Sequence, residues 1–281
     1  MTLPTLPAFQ SGNTAVITGG ANGIGLACAQ QMAGGGLNVA LVDRDPEALA
    51  TAATSVSGPG KVLTFECDVS DASAMHTLAD RISSELGPAS ILMNNAGAGL
   101  NPGKPWENGD GWRQLLGINL GGIINGVQAF VPGMIAAGAP GIIVNTGSKQ
   151  GITLPPGNGA YNVSKAGVKA YTETLAHELR TLDECPISAH LLIPGFTYTG
   201  MIQRFLPEKP PGAWTSEQVA DFMFDSLARG DFYILCPDND VDRPTDEKRT
   251  AWNAGDLIEN RPALSRWHPD FADAFEAFMK G

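Results

Sequence analysis

TAVITGGANGIGLACAQQMA, residues 14–33, passes from a short β-branched run to a helix-forming one through glycines at 19, 23 and 25. A strand that turns so tightly into a helix leaves backbone N–H groups and the positive helix end open to a pyrophosphate. Gly19, Asn22, Gly23, Ile24 and Gly25 are the candidate contacts. Such a loop alone also serves as an ordinary tight turn. Its place at the head of a repeating strand–helix pattern favours the dinucleotide reading.

That pattern extends through the chain. Apolar runs at 14–18, 38–42, 61–67, 90–94, 141–145, 188–193 and 232–236 alternate with helical patterns at 24–33, 46–57, 72–86, 112–137, 161–182 and 216–228. Several runs are nearly continuous in Val, Ile and Leu, as in strands covered on both faces. The alternation predicts a single-domain, three-layer α/β fold with a doubly wound parallel sheet. Asp71 precedes a helix whose Met75, Leu78, Ala79, Ile82 and Leu86 share one face, and Gly87-Pro88 stops it. Ser216, followed by Glu217-Gln218, reads as the N-cap of a later helix.

Composition narrows the classes. A chain of 281 residues, 43% apolar, can bury a large core. Its formal net charge of -11 argues against a nucleic-acid partner, which needs a basic stripe. A phosphorylated small molecule is still allowed, because backbone N–H groups can hold it. Cys28, Cys67, Cys185 and Cys236 lie far apart and read as free thiols, while His76, His177, His190 and His268 lack metal-ligand spacing. No basic-then-apolar leader and no run of 18 apolar residues occurs, so a cytoplasmic protein without a membrane partner is expected.

The strand ends supply further candidates. Asp43 stands 18 residues beyond Gly25, where a carboxylate can accept from an adenosine ribose and repel a phosphate on it. NAD is therefore expected over NADP, although Arg44 can clamp a phosphate if Asp43 turns aside. Asp68, followed by Val69, either meets the adenine or starts the turn into the next helix. Asn94 and Asn95 can bridge backbone groups beside a cofactor, as asparagines in structural turns also do. Tyr161 and Lys165, four residues apart on one helix face, can pair a phenol with a cation that favours its ionisation.

The chain resembles the short-chain dehydrogenase/reductase superfamily. The resemblance rests on TGGANGIG (18–25), Asp68, NNAG (94–97), Asn119, Ser148 thirteen residues before Tyr161, YNVSK (161–165) and PGFTYT (194–199), all in family order. It implies a Rossmann-like fold and a catalytic tetrad of Asn119, Ser148, Tyr161 and Lys165. Tyr161 would exchange a proton with the substrate oxygen, which Ser148 would hold. Lys165 would lower the tyrosine pKa and bind the nicotinamide ribose. Asn119 would keep the helix geometry and a water beside Lys165. Asn95, Ala96, Gly97, Pro194, Gly195, Thr197 and Thr199 would complete the cofactor site, with Thr199 on the carboxamide. The family often has Val where Thr197 stands.

The implied activity is hydride transfer between NAD and a secondary alcohol or ketone; an NADP-dependent ketone reductase and a non-catalytic dinucleotide sensor are the alternatives. The resemblance also implies a homodimer or homotetramer, with helices 112–137 and 161–182 as interface candidates. Lys149 is expected to face solvent or the entrance. Residues 198–215, with Met201, Phe205 and Trp214, would close over a bulky apolar or aryl substrate. The family pattern ends near 237, and residues 238–281 form an extension. Pro244, Pro262 and Pro269 are expected to divide it into short elements. Its Trp252, Leu257, Ile258, Leu264, Trp267, Phe271, Phe275, Phe278 and Met279 either line the pocket or clamp the fold.

Overall fold

Seven strands pair side by side, all parallel, in the computed structural model, which describes residues 3–203 and 205–281. They are β1 (Thr14–Thr18), β2 (Asn38–Asp43), β3 (Val62–Glu66), β4 (Ala89–Asn94), β5 (Gly141–Thr146), β6 (Ile187–Ile193) and β7 (Tyr233–Leu235). Their order is β3-β2-β1-β4-β5-β6-β7, so the winding reverses between β1 and β4. At such a switch point the connections part in opposite directions and leave a crevice beyond the strand ends.

Alternate residues of β1 point to opposite layers. Ala15 and Ile17 pack under α1 (Gly23–Gly34), α2 (Pro46–Ser55) and α9 (Ser216–Arg229). Val16 packs under α3 (Ala72–Leu86), α5 (Gly122–Ala137) and α7 (Gly159–Thr181). Both faces are covered, which explains the unbroken apolar strands. Asp71 caps α3 by accepting from the Ala74 N–H at 3.0 Å, and Gly87 ends it at φ +88°.

The predicted helix 112–137 is one continuous run in three parts. It comprises α4 (Gly109–Leu116), a π-helical stretch (Gly117–Gly121) and α5. Asn119 lies in the π-helical stretch, a widened turn of the kind that often marks a functional position. Short helices α6 (Gln150–Thr153) and α8 (Gly200–Gln203) fall between the predicted elements. The cap of α9 is Thr215, not Ser216: Thr215 Oγ1 accepts from the Gln218 N–H, and Gln218 Oε1 accepts in return from the Thr215 N–H. The reciprocal pair satisfies two backbone donors, which a serine one residue later cannot do.

The prolines fall at element boundaries of the extension: Pro244 sits in the first turn of α10 (Arg243–Ile258), where a missing N–H breaks no helical bond. Two 3-10 turns (Ser265–Trp267 and Pro269–Phe271) then lead into α11 (Ala272–Lys280). Trp252 is buried between these pieces, with its Nε1 donating to Ser265 Oγ at 2.8 Å. Phe275 and Phe278 pack with ring centroids 5.3 Å from the indole, and the Arg261 guanidinium stacks 4.0 Å over it. Leu257 and Ile258, by contrast, stand 89% and 81% exposed.

Candidate active site

The crevice beyond β1 and β4 opens into a cleft of about 580 Å³. Its floor is the glycine loop. Gly19 has φ +63°, and a Cβ there would lie 2.8 Å from the Ala96 Cα. A Cβ on Gly25 would lie 2.3 Å from the Gly19 carbonyl oxygen, so the start of α1 can seat on the loop only without a side chain. Asn95 braces this cradle, its Nδ2 donating to the carbonyls of Thr18 and Gly19 at 3.2 and 3.3 Å. Asn94 turns inward instead and donates to Asn145 Oδ1 at 2.9 Å. Only one of the two asparagines therefore serves the cleft.

Asp43, at the end of β2, leans over the loop and accepts from the Ala21 N–H at 3.3 Å. Arg44 lines the same wall. A neighbouring cavity of about 90 Å³ is bounded by Asp43, Arg44, Asp68, Val69, Ala96 and Gly97. Asp68 borders that cavity and also builds a turn, its Oδ1 accepting from the Ser70 N–H and hydroxyl at 2.9 and 2.7 Å. Those bonds hold its carboxyl below the usual range, and the Arg44 charge adds to the effect. Thr199 packs against Gly23 at the start of α1, while Thr197 is buried with its hydroxyl donating to the Gly195 carbonyl at 3.2 Å.

Ser148, Tyr161 and Lys165 meet at the other end of the cleft. Asn158 caps α7 by accepting from the Tyr161 N–H, which fixes the helix where its chemistry begins. Burial pushes the Tyr161 phenol up, and the facing Ser148 side chain pulls it partly back. Burial lowers Lys165 to about 8, and its Nζ donates to the Thr146 carbonyl at 2.7 Å. The ammonium lies 5.8 Å from the Tyr161 ring centroid. The tyrosine therefore keeps its proton in the free enzyme despite the nearby cation. Asn119 sits behind the cleft, its Oδ1 accepting from the Ala98 N–H at 2.8 Å and its Nδ2 donating to Ser164 Oγ at 3.2 Å.

Residues 13–210 match the family model described as short chain dehydrogenase. The chain belongs to the short-chain dehydrogenase/reductase superfamily of NAD(P)-dependent oxidoreductases. It is 30% identical to the 1-deoxy-11-beta-hydroxypentalenate dehydrogenase of Streptomyces exfoliatus, over 90% of this chain and 93% of that one. It is 29% identical to the NADP-dependent (R)-specific alcohol dehydrogenase of Lentilactobacillus kefiri, over 68% and 75%. Among solved structures, a short chain dehydrogenase/reductase from Burkholderia phymatum in complex with NAD superposes with a TM-score of 0.81. That pair is 30% identical over 92% of this chain and 98% of the other.

Several residues of this dehydrogenase/reductase escaped the sequence reading. Thr18 Oγ1 accepts from the Asn95 and Ala96 N–H groups at 3.0 and 3.2 Å and so ties β4 to the glycine loop. Thr146 receives Lys165, and Asn145 holds Asn94. The signal was a polar Asn145-Thr146 pair ending an otherwise apolar strand, at the carboxyl end of the sheet where sites form. Lys149 does not face solvent: its side chain is 16% exposed and paired with Asp238 and Asp246. Trp214 packs edge-on against Phe222, 5.8 Å between centroids, and not on the cleft. Met201 and Phe205 do line it, with Leu100, Phe196 and Ile202. No residue of 238–281 lines the cleft among the described residues, so of the two readings of the extension's aromatics the pocket one is set aside and the clamp one is left.

Proposed function

We propose that this enzyme moves a hydride between NAD and the carbinol carbon of a bulky, apolar or aryl secondary alcohol, or its ketone. The observation that carries this reading is the convergence of Ser148, Tyr161 and Lys165 in the cleft floored by the glycine loop. The close seating of the loop on Ala96 and Asn95, which leaves no room for a Cβ on Gly19 or Gly25, brings the start of α1 to the cleft floor, where a helix N-terminus suits a dinucleotide pyrophosphate. Asp43 and Arg44 would meet the adenosine ribose, Asp68 and Val69 the adenine, and Asn95, Ala96 and Gly97 the path between the two ends. Pro194, Gly195, Thr197 and Thr199 would flank the nicotinamide half. The bound nicotinamide supplies the hydride acceptor or donor.

The chain's own residues handle the proton. In oxidation Tyr161 takes it from the alcohol oxygen; in reduction it returns it to the ketone oxygen. Ser148 holds that oxygen in line with the phenol. Lys165 supplies the positive charge that favours phenolate once substrate and cofactor exclude water. Leu100, Phe196, Met201, Ile202 and Phe205 give the substrate end an apolar wall, which favours a bulky body on the alcohol. The test is a screen of aliphatic, cyclic and aryl alcohols and ketones with both cofactors, followed by reduced-nicotinamide absorbance. Cofactor binding without turnover on any member would sink this reading in favour of a sensor.

A second cofactor reading has its own observation. Arg44 borders both cavities beside Asp43, so NADP would find a guanidinium for its extra phosphate if the carboxylate turned aside. For assembly, we propose a homodimer or homotetramer through α5 and α7. Ile135 and Val163 on these helices are 41% and 50% exposed, and the most apolar stretch of the α4–α5 run is only 39% buried within the chain. Sedimentation at low micromolar concentration should show no monomer as the main species; a monomer alone would refute the interface.

A further inference from the structure

Ser148 is followed by a lysine whose surroundings are unlike those of a surface residue. Lys149 Nζ lies 3.1 Å from Asp238 Oδ2 and 2.6 Å from Asp246 Oδ2, and both carboxylate side chains are 6% exposed. The Asp238 contact is a hydrogen bond; the Asp246 contact is an ion pair by distance but falls outside hydrogen-bonding direction. Arg249, on α10 with Asp246, brings a second positive charge to that carboxylate. Charges taken this far from water cost several kcal/mol each, and well-packed apolar groups often stabilise as well or better. This buried knot of Lys149, Asp238 and Asp246, with Arg249 beside it, is therefore better explained by what it holds in place.

It holds three segments. The Lys149 N–H donates to the Pro194 carbonyl at 3.2 Å, and Asp238 Oδ2 accepts from the Phe196 N–H at 3.2 Å. Gly195 lies between them. A Cβ there would stand 2.6 Å from Asp238 Oδ2 and 2.9 Å from Lys149 Nζ, so the segment 194–199 packs directly on the knot. Asp238 Oδ1 also accepts from the Val241 N–H at 2.9 Å, which shapes the chain into α10. One turn beyond Lys149, Asn253 of α10 donates to the Ile152 carbonyl at 2.9 Å. The extension thus grips the Ser148 segment at two points without entering the cleft.

Taking the cleft as a hydride-transfer site, we propose that the extension is a positioning element for it. Lys149, clamped by Asp238 and Asp246, is the positioning residue through which the extension acts. It fixes Ser148 opposite Tyr161 and holds segment 194–199 along the nicotinamide half of the cofactor site. The extension then acts on rate and on nicotinamide placement; it reaches the apolar wall of the substrate end only through Phe196, while Leu100, Met201, Ile202 and Phe205 complete that wall.

The test compares Lys149→Met, Lys149→Arg and Asp246→Asn with the wild-type chain. One readout is kcat and KM on the best member of the alcohol and ketone screen. The other is affinity for NADH against affinity for ADP-ribose, which lacks the nicotinamide. Lys149→Met should lower kcat about 10–100-fold with KM changed far less, the size of effect that a misplacement near 1 Å produces. NADH should bind about threefold or more weaker while ADP-ribose binding holds, as when one ordinary hydrogen bond is lost. Lys149→Arg should recover most of both losses. Should Lys149→Met fail to fold, Asp246→Asn, which keeps the lysine and the side-chain shape, should move both readouts in the same direction by a smaller factor.

Wild-type kcat and an unchanged NADH to ADP-ribose ratio, with only the melting temperature lowered, would overturn the proposal and leave a structural clamp. A wild-type chain that turns over nothing in the screen overturns the hydride-transfer reading instead. The NADH to ADP-ribose ratio then still decides whether Lys149 holds the nicotinamide segment.

Discussion

The glycine-loop half of the cleft and the C-terminal extension are built on opposite principles. In the first, the decisive constraints are local and steric. Gly19 needs a positive φ and Gly25 has no room for a Cβ, so the sequence spells the geometry in glycines. In the extension, the decisive contacts join residues far apart in the chain. Asp246 reaches back to Lys149, and Asn253 reaches Ile152. No short motif encodes such pairs. The first kind of region can be read from its letters; the second needs the fold.

The largest expected effect lies in the legible half. Tyr161→Phe removes the proton carrier and leaves the glycine cradle intact. Turnover should fall about 10²–10⁴-fold while NAD affinity, measured by titration, stays near wild type. Near-wild-type turnover would take Tyr161 out of the chemistry. The extension supplies the counterpart. Trp252 is 5% exposed at the centre of the extension's own cluster. Trp252→Ala should lower the unfolding free energy by about 3–5 kcal/mol, as truncating a buried aromatic does. An unchanged denaturation midpoint would show that this cluster carries no stability and would break the contrast.

The same distinction explains what the sequence reading reached and what it missed. The strands were legible because burial on both faces demands unbroken Val, Ile and Leu. The glycine loop and the strand-end acids came from local spacing and the full tetrad from the family resemblance, and apart from Gly25, Asn119, Asp68 and Val69 these residues border the main cleft. Asp68 and Val69 border the smaller cavity, and Asn119 stands behind in its widened turn. Lys149 borders the cleft, one of its two readings, but its burial was not legible because its partners are 89 residues and more away, and nothing local to GSK marks a buried lysine. Pro244 marks a boundary, but not which side of it is helical. Proline breaks a helix interior but suits a first turn, and only the Asp242 cap reveals which applies.

Asp43 tests how far a local reading extends to specificity. Its carboxylate can accept from a ribose and repel a phosphate, so Asp43→Ala should weaken NAD and shift the NAD to NADP affinity ratio toward NADP by about tenfold, the worth of a charged hydrogen bond. Arg44→Ala is its mirror: a selective loss of NADP binding would show that the guanidinium admits phosphate. An unchanged NAD to NADP affinity ratio in Asp43→Ala would remove that residue from cofactor choice.

The smallest expected effect concerns Lys165, where the legible motif meets burial that no motif reports. Its spacing from Tyr161 was plain, but its environment was not: the side chain is 4% exposed, and burial lowers its pKa to about 8 from an ordinary 10.5. The folded chain therefore binds this proton less tightly than the unfolded chain. Between about pH 8 and pH 10.5 unfolding takes up a proton, so the lysine's contribution to stability rises with pH across that window and is lost as pH falls back through 8. Other groups titrate there too, so the quantity to follow is the difference in melting temperature between wild type and Lys165→Met, both free of cofactor. That difference should shift in favour of wild type as pH rises, by roughly 2–4 °C for each kcal/mol gained in a large domain. A difference that stays flat would mean that the Thr146 carbonyl, accepting from Nζ at 2.7 Å, compensates the ammonium fully. The lysine would then stay charged up to its ordinary pKa near 10.5, and burial would not tune it.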